Sequence, residues 1–135
     1  MIGLSISLWA DFTRDESTSI VADNTTGLQW QDEDNVKIPK TWTDAIAYCE
    51  TLTLGTYNDW RLPNINELYS IADRSKLKSN INSAFQSVVL GKYWSSSTLV
   101  VNRDLAWYVN FNSGFGSWYT KYSRYYVWCV RDGQP

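Results

Sequence analysis

The sequence predicts an α+β domain, with two helices in its first half and an antiparallel sheet in its last third. Three observations predict it. Trp42, Ala45, Ile46, Cys49 and Leu52 recur at three- and four-residue intervals, the period of a helix with one buried stripe. Asn64-Ile65-Asn66-Glu67 has the spacing of a capping box, which starts a second helix. From Tyr93 onward the chain is a series of aromatic and β-branched segments divided by Asn, Ser and Gly, the composition of strands and turns. The 135 residues suit a single domain, 1–135, because domains typically run to about 100–200 residues.

Taken in order, residues 1–11 have no basic n-region and make a poor signal peptide, so they read as the remnant of a leader or an added stretch. Short strands and turns follow. Ile20 and Ala22 lie in one strand, the turn Asp23-Asn24-Thr25-Thr26-Gly27 ends it, and Leu28–Gln31 is the next. Gln31 to Lys40 is polar, with Asp32, Glu33 and Asp34 reading as a solvated turn. Thr41 or Thr43 caps the first helix, which is expected to stop near Leu54-Gly55. Ile65, Leu68, Tyr69 and Ala72 form the apolar stripe of the second helix. Residues 74–92 are irregular, with a short helical turn at Ser83–Ser87. The expected sheet strands are Tyr93–Ser97, Leu105–Phe111, Phe115–Thr120 and Tyr125–Arg131, with Asn112-Ser113-Gly114 as a hairpin turn. Alternation puts Val127, Cys129 and Arg131 on one face of the last strand and Tyr126, Trp128 and Val130 on the other.

Composition excludes several functions. The chain holds 8 Trp, 9 Tyr and 4 Phe, too aromatic for a disordered segment. It has no His, which removes Ser-His, Cys-His and His-ligated zinc chemistry. A net charge of −2 is not that of a general nucleic-acid binder, and no apolar run is long enough to insert across a membrane. Cys49 and Cys129 fit neither a zinc ribbon nor a redox CxxC pair. They are a disulfide or two free thiols, and the even count favours the disulfide. Such a bridge would close a loop of roughly 80 residues, worth about 4.5 kcal/mol on the chain-entropy model. It also implies an oxidising, extracytoplasmic compartment. If Cys129 reaches Cys49, the first helix packs on the Val127/Cys129 face.

Between Asn112 and Trp128, six of 17 residues are Tyr or Trp, interleaved with Ser, Gly, Asn, Lys and Arg. Rigid aromatic area beside small polar groups is the chemistry of a binding surface. The candidate ligand residues are Asn112, Phe115, Ser117, Trp118, Tyr119, Lys121, Tyr122, Arg124, Tyr125 and Trp128, with Arg103 from the preceding turn. The bland alternative is that aromatic strands simply pack on one another. No cofactor is expected. A structural calcium held by Asp32–Asp34 or by Asn58-Asp59 is the alternative, although neither has EF-hand spacing.

The motifs in order are Asp23-Asn24-x-Thr26-Gly27-Leu28-x-Trp30-Gln31, Trp42-x-x-Ala45-x-x-Tyr48-Cys49 and Asp59-Trp60-Arg61-Leu62-Pro63-Asn64-x-x-Glu67-Leu68. They continue with Tyr93-Trp94-Ser95-Ser96-Ser97, Ala106–Phe111 and Val127-x-Cys129-Val130-Arg131. From Ile20 to Arg131 this resembles the bacterial domain family typified by the C-terminal domain of the Legionella collagen-like protein. The resemblance implies a C-type-lectin-like fold of the formylglycine-generating-enzyme kind, two helices on a twisted antiparallel sheet. A disulfide from the first helix to the last strand agrees with it. It implies a cell-surface, secreted or periplasmic binding module, an adhesin or receptor-like domain for a glycan or protein ligand.

Glycosaminoglycan binding is one form of this function, and would require Arg103, Lys121, Arg124 and Lys92 to cluster. Another is a receptor diversified by a retroelement that mutates adenines in C-terminal codons. Relatives borne on stalks imply a trimer. Enzymatic activity is not expected, because the formylglycine-generating route needs reactive cysteines and these two are expected to pair. Relatives commonly carry Arg where Trp128 stands, which weakens the case for a polyanion. The Trp60–Asn64 segment reads as scaffold: Trp60 and Leu62 in the core, Asn64 a cap, Arg61 paired to a carboxylate. Trp30, Trp42, Trp94 and Trp107 likewise belong to the fold's own motifs.

Overall fold

Asp23 sets up the first tight turn of the domain. Its carboxylate accepts from the Thr25 N–H at 2.9 Å and the Thr26 hydroxyl at 2.8 Å, and Gly27 supplies the left-handed residue (φ 80°) that ends it. The computed structural model describes residues 12–72 and 81–133, so residues 1–11 lie outside it. Around this turn lie β1 (Phe12–Asp15), β2 (Ile20–Asp23) and β3 (Gln29–Gln31). A 3-10 turn at Asp34–Lys37 leads to α1 (Trp42–Thr51) and α2 (Ile65–Ser70). The chain then forms β4 (Lys92–Thr98), β5 (Leu105–Asn110), β6 (Phe115–Thr120) and β7 (Val130–Arg131). The fold is α+β, with two helices and a Cys49–Cys129 disulfide. The strands make two antiparallel sheets rather than one, ordered β1-β2-β3-β7 and β4-β5-β6.

Both helices start where side-chain chemistry requires. Thr41, not Thr43, caps α1 by accepting from the Asp44 N–H. Asn64 and Glu67 complete both bonds of the capping box, at 2.8 and 2.9 Å. The stop of α1 differs from expectation: the helix ends at Thr51, before Gly55. Gly55 instead sits in a tight turn bridged by Leu54 and Tyr57, at φ +61°. A Cβ there would stand 2.6 Å from the Ile20 Cδ1 atom, so glycine lets this turn close on β2.

The C-terminal segment runs between two cores. Val127 and Cys129 join Ala45, Trp60, Leu62 and Trp94 in the core beneath α1. Trp128 and Val130 join Leu68, Ile71, Tyr93 and Phe111 in the core beneath α2. The alternation expected of this segment is therefore present, with both of its faces buried. Its backbone departs from the expected strand Tyr125–Arg131, because only Val130–Arg131 lies in a ladder. Its backbone bonds pass in turn to Lys40, to Lys92 and Trp94, to Gln31 and to Arg61. Partners from four separate regions of the chain hold it, so no continuous strand forms.

Two polar regions also differ from expectation. The Asp32–Asp34 run is not a solvated turn throughout, since Asp32 is wholly buried. Its carboxylate pairs with Arg14 and accepts from the Gln86 and Ser87 N–H groups at 2.7 and 3.0 Å. It thereby pins the chain before β4 to the first sheet. Val36 in the following 3-10 turn is buried as well. The helical turn expected at Ser83–Ser87 is a simple turn at Asn82–Phe85, with the Asn82 side chain accepting from the Ala84 N–H. Residues 73–80 lie outside the described residues.

Candidate functional site

Directly paired residues of antiparallel strands share a face, so the register of β4-β5-β6 sorts the aromatic residues. Trp107 faces Trp118, and Val109 faces both Gly116 and Tyr93. These residues make the face that packs toward α2. Tyr108 faces both Ser117 and Trp94, and Ala106 faces Tyr119. These make the opposite face, where α1 packs near β4. Beyond α1, the β5–β6 half of that face carries half-buried Tyr108 and exposed Tyr119.

Tyr125 leans across this half from the C-terminal segment. Its ring lies 4.6 Å from Trp94, 5.1 Å from Tyr108 and 6.4 Å from Tyr119. Lys92 completes the cluster, with its ammonium 5.3 Å from the Tyr108 ring and 5.4 Å from the Tyr125 ring. No carboxylate pairs with Lys92 among the described residues. Burial pushes the Tyr125 hydroxyl above the usual tyrosine range, and the Tyr108 and Tyr119 hydroxyls push it the same way. The patch offers three phenol rings around one ammonium group, which suits stacking on an apolar ring with hydrogen bonds at its edge.

The eleven ligand candidates do not form one surface. Ser117, Tyr119 and Tyr125 share the tyrosine face, and the register puts Phe115, which is 60% exposed, beside Asn110 on it. Trp118 points to the other face, edge-on to Trp107 at 5.0 Å. Asn112 is exposed in the β5–β6 turn, and Tyr122 is 86% exposed in the loop after β6. Trp128 is not a surface residue. It is fully buried, stacked on Tyr93 at 4.0 Å, because its face of the segment is turned to the core beneath α2.

Nor do the four cations converge. Lys121 spans the Trp42 ring at 3.9 Å and donates to the Thr98 hydroxyl at 3.0 Å, tying β4 to the start of α1. Lys92 is paired with Asn110 at the other end of the sheet. Six residues of strand separate the two ends, about 20 Å at ~3.3 Å per residue. Arg103 and Arg124 are exposed in different loops. Sequence reading passed over Tyr108 as a site residue. The alternation of β5, carried through the Asn112–Gly114 turn to Ser117, is the signal that would have found it.

The Trp60–Asn64 segment is scaffold. Trp60 and Leu62 are buried, and Arg61 holds Glu67 through two bonds of 2.7 Å and Asp132 through one of 2.6 Å. Burial opposes ionisation of Glu67, but the Arg61 and Asn64 bonds outweigh it and hold its carboxyl below the usual range. Asp59, one of the calcium candidates, is engaged by Arg131 at 2.7 and 3.1 Å. No group of three or more Cys, Asp or Glu residues able to hold a metal occurs among the described residues. None of their helices is long and apolar enough to cross a membrane.

The chain is thus a small α+β domain with a disulfide tying its first helix to its C-terminal segment and an aromatic sheet face left open. The chain belongs to the Lcl C-terminal domain family, whose model matches residues 19–131. Comparison with curated proteins finds no match.

Proposed function

We propose that this domain is an extracytoplasmic ligand-binding module, not an enzyme, and that its binding surface is the tyrosine face of β5 and β6. The single observation that carries this is the Tyr108–Tyr119–Tyr125 cluster around Lys92, a cation with no carboxylate partner among the described residues. Rigid phenols present large area at low entropy cost, and an unpaired cation invites an acceptor. A glycan fits best: its C–H faces stack on the rings while its hydroxyls or a carboxylate reach Lys92 and the phenols. The buried disulfide supports an oxidising compartment and leaves neither cysteine as a nucleophile. The separation of Lys92 from Lys121 favours a compact sugar epitope over a long polyanion.

A glycan array probed with the wild-type domain and with a Tyr119→Ala/Tyr125→Ala variant tests this. A glycan found on the array is then titrated in solution, and the double variant is expected to bind at least ten-fold more weakly. Unchanged affinity in that variant, or loss in Tyr122→Ala instead, would place the ligand elsewhere.

A further inference from the structure

The first sheet has a second face, turned away from the core beneath α2. Register sets Thr13, Ala22, Gln29 and Arg131 in one row across β1, β2, β3 and β7, with Asp15 and Ile20 in the next row. Val21, Trp30 and Val130 point the other way, into that core. The Leu54–Tyr57 turn rests on Ile20 through Gly55. Ala22 is the shortest side chain of its row, and a cleft of about 270 Å³ opens over it, lined also by Thr13, Asp15, Gln29, Gly55 and Tyr57.

Backbone strain and charge distinguish this cleft. Ser19 (φ 59°) and Thr56 (φ 68°) are the non-glycine residues with left-handed backbone among the described residues. Both adjoin the cleft: Ser19 lies between Thr18 and Ile20, and Thr56 between Gly55 and Tyr57. A branched side chain disfavours that conformation, and strain of this kind collects at ligand sites. Asp15 has no cation partner among the described residues. Arg14 is on the other face, paired with Asp32 and Glu16, and Arg131 is paired with Asp59. Ser17 gives Asp15 its N–H at 2.9 Å and its hydroxyl at 2.7 Å, which keeps the carboxyl below the usual aspartate range.

The other polar groups offer donors. The Thr13 oxygen accepts from the Asn24 side chain at 2.8 Å, which leaves its O–H to donate. The Gln29 carbonyl accepts from Arg131, which leaves its NH2 without a partner among the described residues. Tyr57 adds a ring, held by the Arg131 guanidinium 3.6 Å from its centre.

We infer that this cleft is a binding site for one neutral sugar ring, separate from the tyrosine face. An anion would meet the unpaired Asp15 carboxylate. An ammonium ligand would suit Asp15 but give the Thr13 and Gln29 donors no acceptor. Sugar hydroxyls both donate and accept, so one ring serves all three groups. Its C–H face packs on Ala22 and Tyr57. Drug-sized ligands fill pockets of about 300–1,000 Å³, so the smaller volume here takes a single ring rather than a chain. The site lies on a different sheet from Tyr108 and Tyr119 and does not depend on what binds there.

Amide NMR shifts of the isotope-labelled domain test this. The probes are the methyl glycosides of glucose, galactose and mannose at millimolar concentrations, with the matching uronates and ethylammonium as charged controls. At least one neutral glycoside is expected to move the signals of Thr13, Asp15, Ala22, Gln29 and Gly55 saturably. Its uronate is expected to bind at least ten-fold more weakly. Ala22→Leu fills the floor of the cleft and is expected to abolish those shifts while the spectrum stays dispersed. Thr13→Val keeps the shape without the hydroxyl and is expected to weaken binding about two- to ten-fold, the worth of one hydrogen bond. No movement at these residues with any neutral glycoside, movement with a charged control alone, or undiminished binding in Ala22→Leu would overturn the inference. Shifts confined to Tyr108, Tyr119 and Tyr125 would support the tyrosine face and overturn this second site, so the two readings fail separately. The wild-type titration decides the matter even if Ala22→Leu fails to fold.

Discussion

Replacing Trp128 separates a structural role from a ligand-binding one. The side chain is fully buried, stacked on Tyr93 at 4.0 Å and set against Phe85 at 5.4 Å and Phe111 at 5.3 Å. Removing a buried Trp side chain costs about 3–5 kcal/mol through lost transfer energy and the cavity left behind. The three aromatic contacts place Trp128→Ala near the upper end of that range. Trp128→Phe should be far milder. The indole N–H has no hydrogen-bond partner among the described residues, and an unsatisfied buried donor costs about 1–3 kcal/mol, which the smaller ring relieves. At a urea slope of about 1.5 kcal/mol per molar, a loss of about 4 kcal/mol lowers the unfolding midpoint by about 2.7 M. Equilibrium urea unfolding followed by fluorescence, with the disulfide intact, measures both variants. A midpoint shift below about 0.7 M for Trp128→Ala, roughly 1 kcal/mol at the same slope, would refute the packing argument. So would ligand affinity lost in a Trp128→Phe protein that remains folded.

Three other perturbations probe separate parts of the fold. Removing the disulfide by Cys49→Ala/Cys129→Ala releases a span of 80 residues and is expected to cost about 4.5 kcal/mol, read as a fall in melting temperature. Asp32→Ala leaves the largely buried Arg14 guanidinium with Glu16 alone and strands the Gln86 and Ser87 N–H groups. A loss of about 3–5 kcal/mol is expected, with hydrogen exchange accelerated first in residues 81–91. Acid should destabilise the domain through Asp59 and Glu67. Arg131 holds the Asp59 carboxyl below its usual range, and the Arg61 and Asn64 bonds, outweighing burial, do the same for Glu67. A depressed carboxylate stabilises the fold above its unfolded value of about 4, and that contribution is lost as pH falls through the folded value. The urea midpoint is therefore expected to be flat from about pH 7 to 5 and to drop below about pH 4, with a shallower drop in Glu67→Gln.

Features of the fold that depend on neighbouring residues were legible in the sequence. The α1 stripe, the Asn64–Glu67 box and the β5–β6 hairpin each rest on contacts within a few positions, and each formed with at most small changes in its limits. Where distant partners decide, the sequence was less informative. Asp32 looks like one acid among three. Only Arg14 and the amides of residues 86 and 87, far along the chain, make it a buried anchor. The Tyr125–Arg131 segment shows strand alternation correctly, but its backbone partners come from four regions, which alternation cannot reveal.

The candidate site was legible in composition and not in geometry. A cluster counted along the chain merges neighbours that a strand sends to opposite faces, as it does for Trp118 and Tyr119. It also hides Tyr108 and Lys92, which reach the patch from other strands.

The position of the segment that divides the two cores bears on how the domain matures. Trp128 and Val130 fill one core, Val127 and Cys129 the other, and all four lie at the far end of the domain's sequence. Neither core can close, and Cys49 has no partner, until that stretch has left the ribosome. A nascent chain lacking it holds an α1 stripe, the α2 stripe and half-built sheets with nothing to cover them. Such contacts between remote positions form slowly. The C-terminal segment is therefore the piece on which both cores and the Cys49–Cys129 bond wait, and folding of the domain is completed from its C-terminal end.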